Sequence, residues 1–81
     1  MELLTDLVRW TVTTTSGDEI SIWADGYSTQ DDDLVFGVLV RATVQEQARL
    51  PITGRTPSDP ERVVIELARL SRAMVTSTIS S

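Results

Sequence analysis

The sequence predicts a mainly β fold in a single domain, residues 1–81. Apolar and polar residues alternate between positions 7 and 15, which is the period of a strand with one buried face. Residues 34–40 are apolar apart from one glycine, a run that suits a buried strand and is too short to cross a bilayer. Turn-forming residues separate these segments, so we expect a small antiparallel sheet that curls around one modest core.

The first two strands are predicted to form a hairpin. Before the turn, one face carries the apolar side chains Val8, Trp10 and Val12. Residues 16–18 supply turn chemistry, and the inward row then resumes with Ile20, Ile22 and Ala24. Trp23 lies on the outward row, and Gly26 is expected to relax or bulge the strand before an acidic turn at residues 30–33.

The third predicted strand, residues 34–40, is apolar on both faces. Its inward row consists of Leu34, Phe36, Val38 and Val40. Val35 and Leu39 make the opposite face apolar too, a pattern typical of a strand that is covered on both sides. The cover could come from the C-terminal segment, from residues 44–50 or from a second copy of the protein. Trp23 could extend the same apolar surface.

A short helix is predicted near residues 44–50. Thr43 and Glu46 have the spacing of a capping box, and Pro51 would end the helix. Residues 51–60 are rich in Pro and also contain Gly54, so they are predicted to form a loop.

Residues 59–75 allow two interpretations. Apolar residues at helical spacing follow a Ser-Asp-Pro-Glu sequence that could cap a helix, which favours an amphipathic helix. Three consecutive β-branched residues, at positions 63–65, favour a strand instead. In that case Val63, Ile65 and Leu67 share one face, and residues 71–74 form a short turn into a last strand.

Four short segments carry a resemblance to known proteins. They are Ile22-Trp23-Ala24-Asp25, Asp33-Leu34-Val35-Phe36, Asp59-Pro60-Glu61-Arg62-Val63 and residues 68–75. In these segments the chain resembles small, largely uncharacterised β-rich proteins of high-G+C bacteria, and the resemblance implies strand, tight turn and strand at the C-terminal end, as in an SH3-like small barrel. We therefore expect such a barrel or a curled antiparallel sheet. The alternative is a three-stranded β-meander packed by a C-terminal helix over residues 59–75.

The residue types exclude several kinds of catalysis. The chain contains no His, Cys or Lys, so it cannot form a Ser-His-Asp or Cys-His arrangement or a Schiff base. Its carboxylates cluster in predicted turns rather than in a cleft that could desolvate one of a pair. We therefore expect no enzyme and no cofactor, and we expect Asp31, Asp32 and Asp33 to form a solvated turn rather than a metal site.

The charges divide along the chain. Residues 1–40 carry eight carboxylates and one Arg, whereas residues 41–81 carry six Arg and four carboxylates. The overall net charge of −5 opposes binding to nucleic acid.

The acidic N-terminal segment lacks the basic region of a secretory signal, and Cys is absent, so we expect a cytoplasmic protein that does not enter a membrane.

These observations predict a non-catalytic protein-interaction or accessory module that forms a homo-oligomer. The expected interface residues are Trp23, Val35, Leu39, Asp31, Asp32 and Asp33. The acidic turn could also steer a protein partner that has a basic surface. The alternatives are a barrel that binds a small molecule and an acidic inhibitor or immunity-like protein that occupies a basic site.

Overall fold

The computed structural model describes residues 1–80, which form eight strands, one short α-helix and one 3₁₀ turn. The strands are β1 (Glu2–Leu3), β2 (Val8–Thr14), β3 (Glu19–Ala24), β4 (Gly26–Gln30), β5 (Asp33–Arg41), β6 (Ile52–Thr56), β7 (Asp59–Ser71) and β8 (Val75–Ser80). The helix α1 is Val44–Gln47, and the 3₁₀ turn is Arg72–Met74.

The strands form two antiparallel sheets. In the larger, sheet A, β1 and β4 pair with one edge of β5, β7 pairs with its other edge, and β6 lies beyond β7. Sheet B has the order β3-β2-β8. Among residues 1–80 the strands do not close into a barrel. The predicted mainly β fold is therefore confirmed, in the form of a curled antiparallel sheet.

Two hairpin turns follow from residues that tolerate positive φ. In the β2–β3 turn Gly17 has φ +89°, and the N–H of Thr14 donates to the carbonyl of Asp18 at 2.9 Å. Asp31 and Asp32 have φ 49° and 67° and form the two-residue β4–β5 turn. Such turns need positive φ at both positions because their twist then matches that of the strands. The acidic turn is thus confirmed at these two residues, whereas Asp33 already belongs to β5.

The predicted inward row of β5 is confirmed, and it divides between two core clusters. Leu34 and Phe36 pack against residues of sheet B, namely Val12, Ile22 and Ala24. Val38 and Val40 pack instead against Ala42 and against Val63 and Ile65 of β7, with Leu50 and Ile52 beside them. One strand therefore anchors both halves of the core.

The C-terminal segment is a strand, so the alternative of a helix over residues 59–75 is wrong. β7 contains a bulge: Phe36 pairs with Ala68 and Gly37 pairs with Glu66, which leaves Leu67 as the extra residue. Leu67 is 47% exposed, so the prediction that it shares the face of Val63 and Ile65 is also wrong. The 3₁₀ turn after β7 and the final strand β8 agree with the strand-turn-strand interpretation.

The capping box predicted for α1 is confirmed. The N–H of Glu46 donates to Thr43 Oγ1 at 3.2 Å, and Glu46 Oε1 accepts from the N–H of Thr43 at 2.9 Å.

The predicted loop over residues 51–60 is wrong, because β6 and the start of β7 form a hairpin whose turn is only Pro57-Ser58. Gly54 lies within β6 beside a bulge, so its presence marked an irregular strand rather than a loop.

At Gly37, β5 and β7 approach each other closely. A Cβ at Gly37 would lie 2.8 Å from Val64 Cγ1 and 3.1 Å from the carbonyl oxygen of Ile65. A Cβ at Gly26, the residue paired with Gly37, would meet nothing within 4 Å.

We predict that Gly37→Ala lowers the free energy of unfolding by about 1–3 kcal/mol, because the methyl group overpacks this site. Gly26→Ala should leave the stability unchanged or raise it by up to about 1 kcal/mol. Urea denaturation of the two variants checks this difference. Equal effects of the two substitutions would contradict the close approach at Gly37.

Candidate interaction surface

The second face of β5 is covered by the chain itself. Val35 is 2% exposed, and in the sheet it lies between Ser28 of β4 and Arg69 of β7. Gln30 Nε2 of β4 donates to Thr53 Oγ1 of β6 at 3.1 Å, which joins the two strands at opposite edges of sheet A. Val35, one of the predicted interface residues, therefore offers no free apolar surface to a second copy.

A groove of about 400 Å³ lies on this outer face of sheet A. Three of the chain's four glycines line it, namely Gly26, Gly37 and Gly54. Val35 and Val64 supply apolar lining, and Asp25 together with the Gln30 and Thr53 pair contributes polar groups. Leu39, another predicted interface residue, is partly buried in β5 and does not line this groove.

The three predicted acidic interface residues do not act as one group. Asp33 Oδ2 accepts from Arg69 Nη1 at 3.0 Å, and Arg69 Nη2 also lies 2.9 Å from Glu66 Oε1. Hydrogen bonds to Asp33 first and to Glu66 second raise the pKa of the Arg69 guanidinium. Asp31 and Asp32 remain exposed in the turn. In residues 1–80, no three acidic side chains lie close enough together to hold a metal ion.

The division of charge along the sequence is not a division of the surface. Arg69 pairs with Asp33, so the fold joins a cation of the second half to a carboxylate of the first. Arg41 lies 2.9 Å from Asp59 Oδ2 and 3.8 Å from Glu61 Oε1, so these charges compensate one another within the second half. The hydrogen bond from Arg41 lowers the pKa of Asp59.

This pairing predicts a pH-dependent effect of Asp59. Because the pKa of Asp59 is lower in the folded than in the unfolded state, its stabilising effect is present near neutral pH and is lost as the pH falls through the folded pKa. Asp59→Asn should therefore lower the urea midpoint slightly at pH 7, and the difference from the parent protein should shrink as the pH falls below about 4, the ordinary pKa of an Asp side chain. A difference that stays constant as the pH falls would contradict the pairing.

The outer face of sheet B carries the remaining predicted residue, Trp23, which is 57% exposed. Pairing of β2 with β3 and β8 places eight side chains on this face: Arg9, Thr11, Thr13, Glu19, Ser21, Trp23, Ser77 and Ile79. Ile79 is 62% exposed and opposes Thr11 in the sheet. The structure thus separates Trp23 from Val35 and Leu39, which lie in the other sheet. It places Trp23 on one face with Ile79, a residue that the sequence did not single out.

The second tryptophan belongs to the core side of the same sheet. Trp10 packs against the cluster of Val12 and Phe36, and its ring meets Tyr27 edge to face at 5.1 Å. Its Nε1–H donates to the carbonyl of Ala24 at 3.3 Å. The alternation that predicted Trp10 inward and Trp23 outward is therefore confirmed.

No protein-family model, no curated protein and no solved structure matches the chain. The resemblance to small β-rich bacterial proteins thus stays a prediction. None of the helices in residues 1–80 is long and apolar enough to cross a membrane.

Proposed function

We propose that the protein is a non-catalytic interaction module that self-associates through the outer face of sheet B. The observation that supports this most directly is the exposure of Trp23 and Ile79, 57% and 62%, on the same face of one sheet. Tryptophan is the residue type that most often anchors a protein interface, because it buries a large rigid area on contact.

The rest of the face suits a contact between polypeptides. Of the eight residues of this face within residues 1–80, four are Thr or Ser and two, Arg9 and Glu19, are charged. Short hydroxyl side chains cost little to desolvate when they find hydrogen-bond partners, and few charges must be buried.

The two charges favour a second copy as the occupant. Arg9 pairs with Trp23 at one end of the β2–β3 ladder, and Glu19 pairs with Thr13 at the other end. In a face-to-face dimer whose two-fold axis lies between the sheets and perpendicular to the strands, Arg9 of each copy comes to the same end of the ladder as Glu19 of its partner, one strand away. Such an interface is isologous, so the same two residues serve both subunits.

The size of the face makes this a weak dimer. Three strands about 4.8 Å apart, each with six residues at about 3.3 Å, offer roughly 300 Å² per copy. A standard interface buries about 800 Å² per partner, so we expect a weak dimer that forms only at micromolar or higher protein concentration. We also propose that the module is cytoplasmic, because a chain without Cys suits a reducing compartment.

The test is sedimentation velocity between about 5 and 300 μM, a range in which a weak dimer is expected to form. The parent protein should shift from monomer to dimer across this range. Trp23→Ser should raise the Kd at least about tenfold, because it removes the anchor side chain. Far-UV circular dichroism should show an unchanged fold, since the removed side chain is mostly exposed.

The matched control is Leu67→Ser, which removes an exposed apolar side chain from sheet A. This variant should dimerise like the parent protein. A parent protein that stays monomeric at 300 μM would refute the proposal, and equal weakening by both substitutions would refute the assigned face.

A further inference from the structure

A different surface of the molecule lies along β4. Within residues 1–80, β4 pairs only with β5, so its other edge is open. Its three central residues, Tyr27, Ser28 and Thr29, are all exposed. An open edge presents unpaired N–H and C=O groups and is a template for an added strand.

The register of the β4–β5 hairpin identifies the backbone groups on this edge. Gln30 and Asp33 flank the two-residue turn and therefore bond to each other. Since the direction of the backbone groups alternates, Ser28 and Gly26 also face β5, whereas Tyr27 and Thr29 direct their N–H and C=O groups outward.

The open edge of β4 lacks the features that usually protect such edges. It has no Pro, no charged residue and no bulge within Gly26–Gln30. β6, by comparison, has two bulges and lies between Pro51 and Pro57. Natural proteins use charges, Pro and bulges to prevent unwanted pairing, so their absence from β4 leaves it available to a partner strand.

The charges around β4 select the chemistry of that partner. Asp25 precedes the strand, and the exposed Asp31 and Asp32 follow it. Arg72 lines a pocket together with Tyr27, and its backbone N–H donates to the carbonyl of Asp32 at 2.9 Å. With three carboxylates against one guanidinium, the ends of the edge favour a cationic segment.

We infer that the edge of β4 binds an extended segment of another protein that alternates basic and aliphatic residues. The main chain of the segment pairs with Tyr27 and Thr29. Its side chains alternate between the face of Tyr27 and the opposite face, where Ser28 and Asp25 border the groove of sheet A. This inference does not rest on self-association, because β4 and Trp23 belong to different sheets.

The probe is a nine-residue peptide that alternates Lys and Val, acetylated and amidated at its ends, with Glu in place of Lys in the control peptide. Binding is followed by the amide chemical shifts of the isotope-labelled protein. We expect saturable shifts centred on residues 26–32 with the Lys peptide and none with the Glu peptide. Trp23→Ser should bind the Lys peptide like the parent protein.

Two changes test the assigned edge. Asp31→Asn with Asp32→Asn keeps residue types that tolerate positive φ and should weaken binding about fivefold at low salt. Thr29→Pro removes an outward N–H without removing a bond to β5, and it should abolish saturable binding. The matched control, Asp18→Asn with Glu2→Gln, removes two exposed charges that do not belong to β4 or its turn and should change the affinity less than twofold.

Equal weakening by the two double variants would overturn the inference, because it would mean that the peptide only responds to net charge. Parent-like binding by a folded Thr29→Pro protein would also overturn it. If Thr29→Pro does not fold, the comparison of the two double variants decides alone.

Discussion

The central position of β5 is the constraint on which the rest of the structure depends. Both of its edges are paired, and its inward row anchors two core clusters, one of them shared with sheet B. Its outer face is also largely covered, since Val35 is only 2% exposed and lines the same groove as the hydrogen-bonded Gln30 and Thr53. A strand with both edges paired and both faces largely covered offers little surface to a binding partner. Binding surfaces must therefore lie where pairing and packing are incomplete.

Two surfaces meet that description, and they lie on different sheets. The outer face of sheet B keeps Trp23 and Ile79 exposed because sheet B has no layer on that side in residues 1–80. The edge of β4 stays open because β3 and β4 separate at Asp25, where the chain passes from sheet B to sheet A. The first surface carries two exposed apolar side chains among hydroxyl residues and one charge of each sign, while the second has carboxylates at both ends. These differences suit a copy of the same chain and a cationic strand, respectively.

Local pattern predicted much of the fold, and its failures have physical causes. Alternation located β2 and β3, a continuous apolar run located β5, and the capping box located α1, because those signals come from neighbouring residues. The helical spacing in residues 59–75 was misleading because it counted the exposed Leu67 as inward, whereas the bulge at Leu67 shifts the inward positions of β7 from Val63 and Ile65 to Ala68 and Leu70. The cover over Val35 and the proximity of Trp23 to Ile79 depend on which strands pair. Periodicity along one chain does not encode that choice.

Self-association through Trp23 is tested most directly by its own fluorescence. In a Trp10→Phe variant, Trp23 is the only tryptophan, and its side chain is 57% exposed in the single chain. As the protein concentration rises through about 5–300 μM, the emission should shift to shorter wavelength and quenching by acrylamide should decrease, because the indole leaves water. An emission maximum and a quenching constant that stay those of an exposed indole at every concentration would contradict the account.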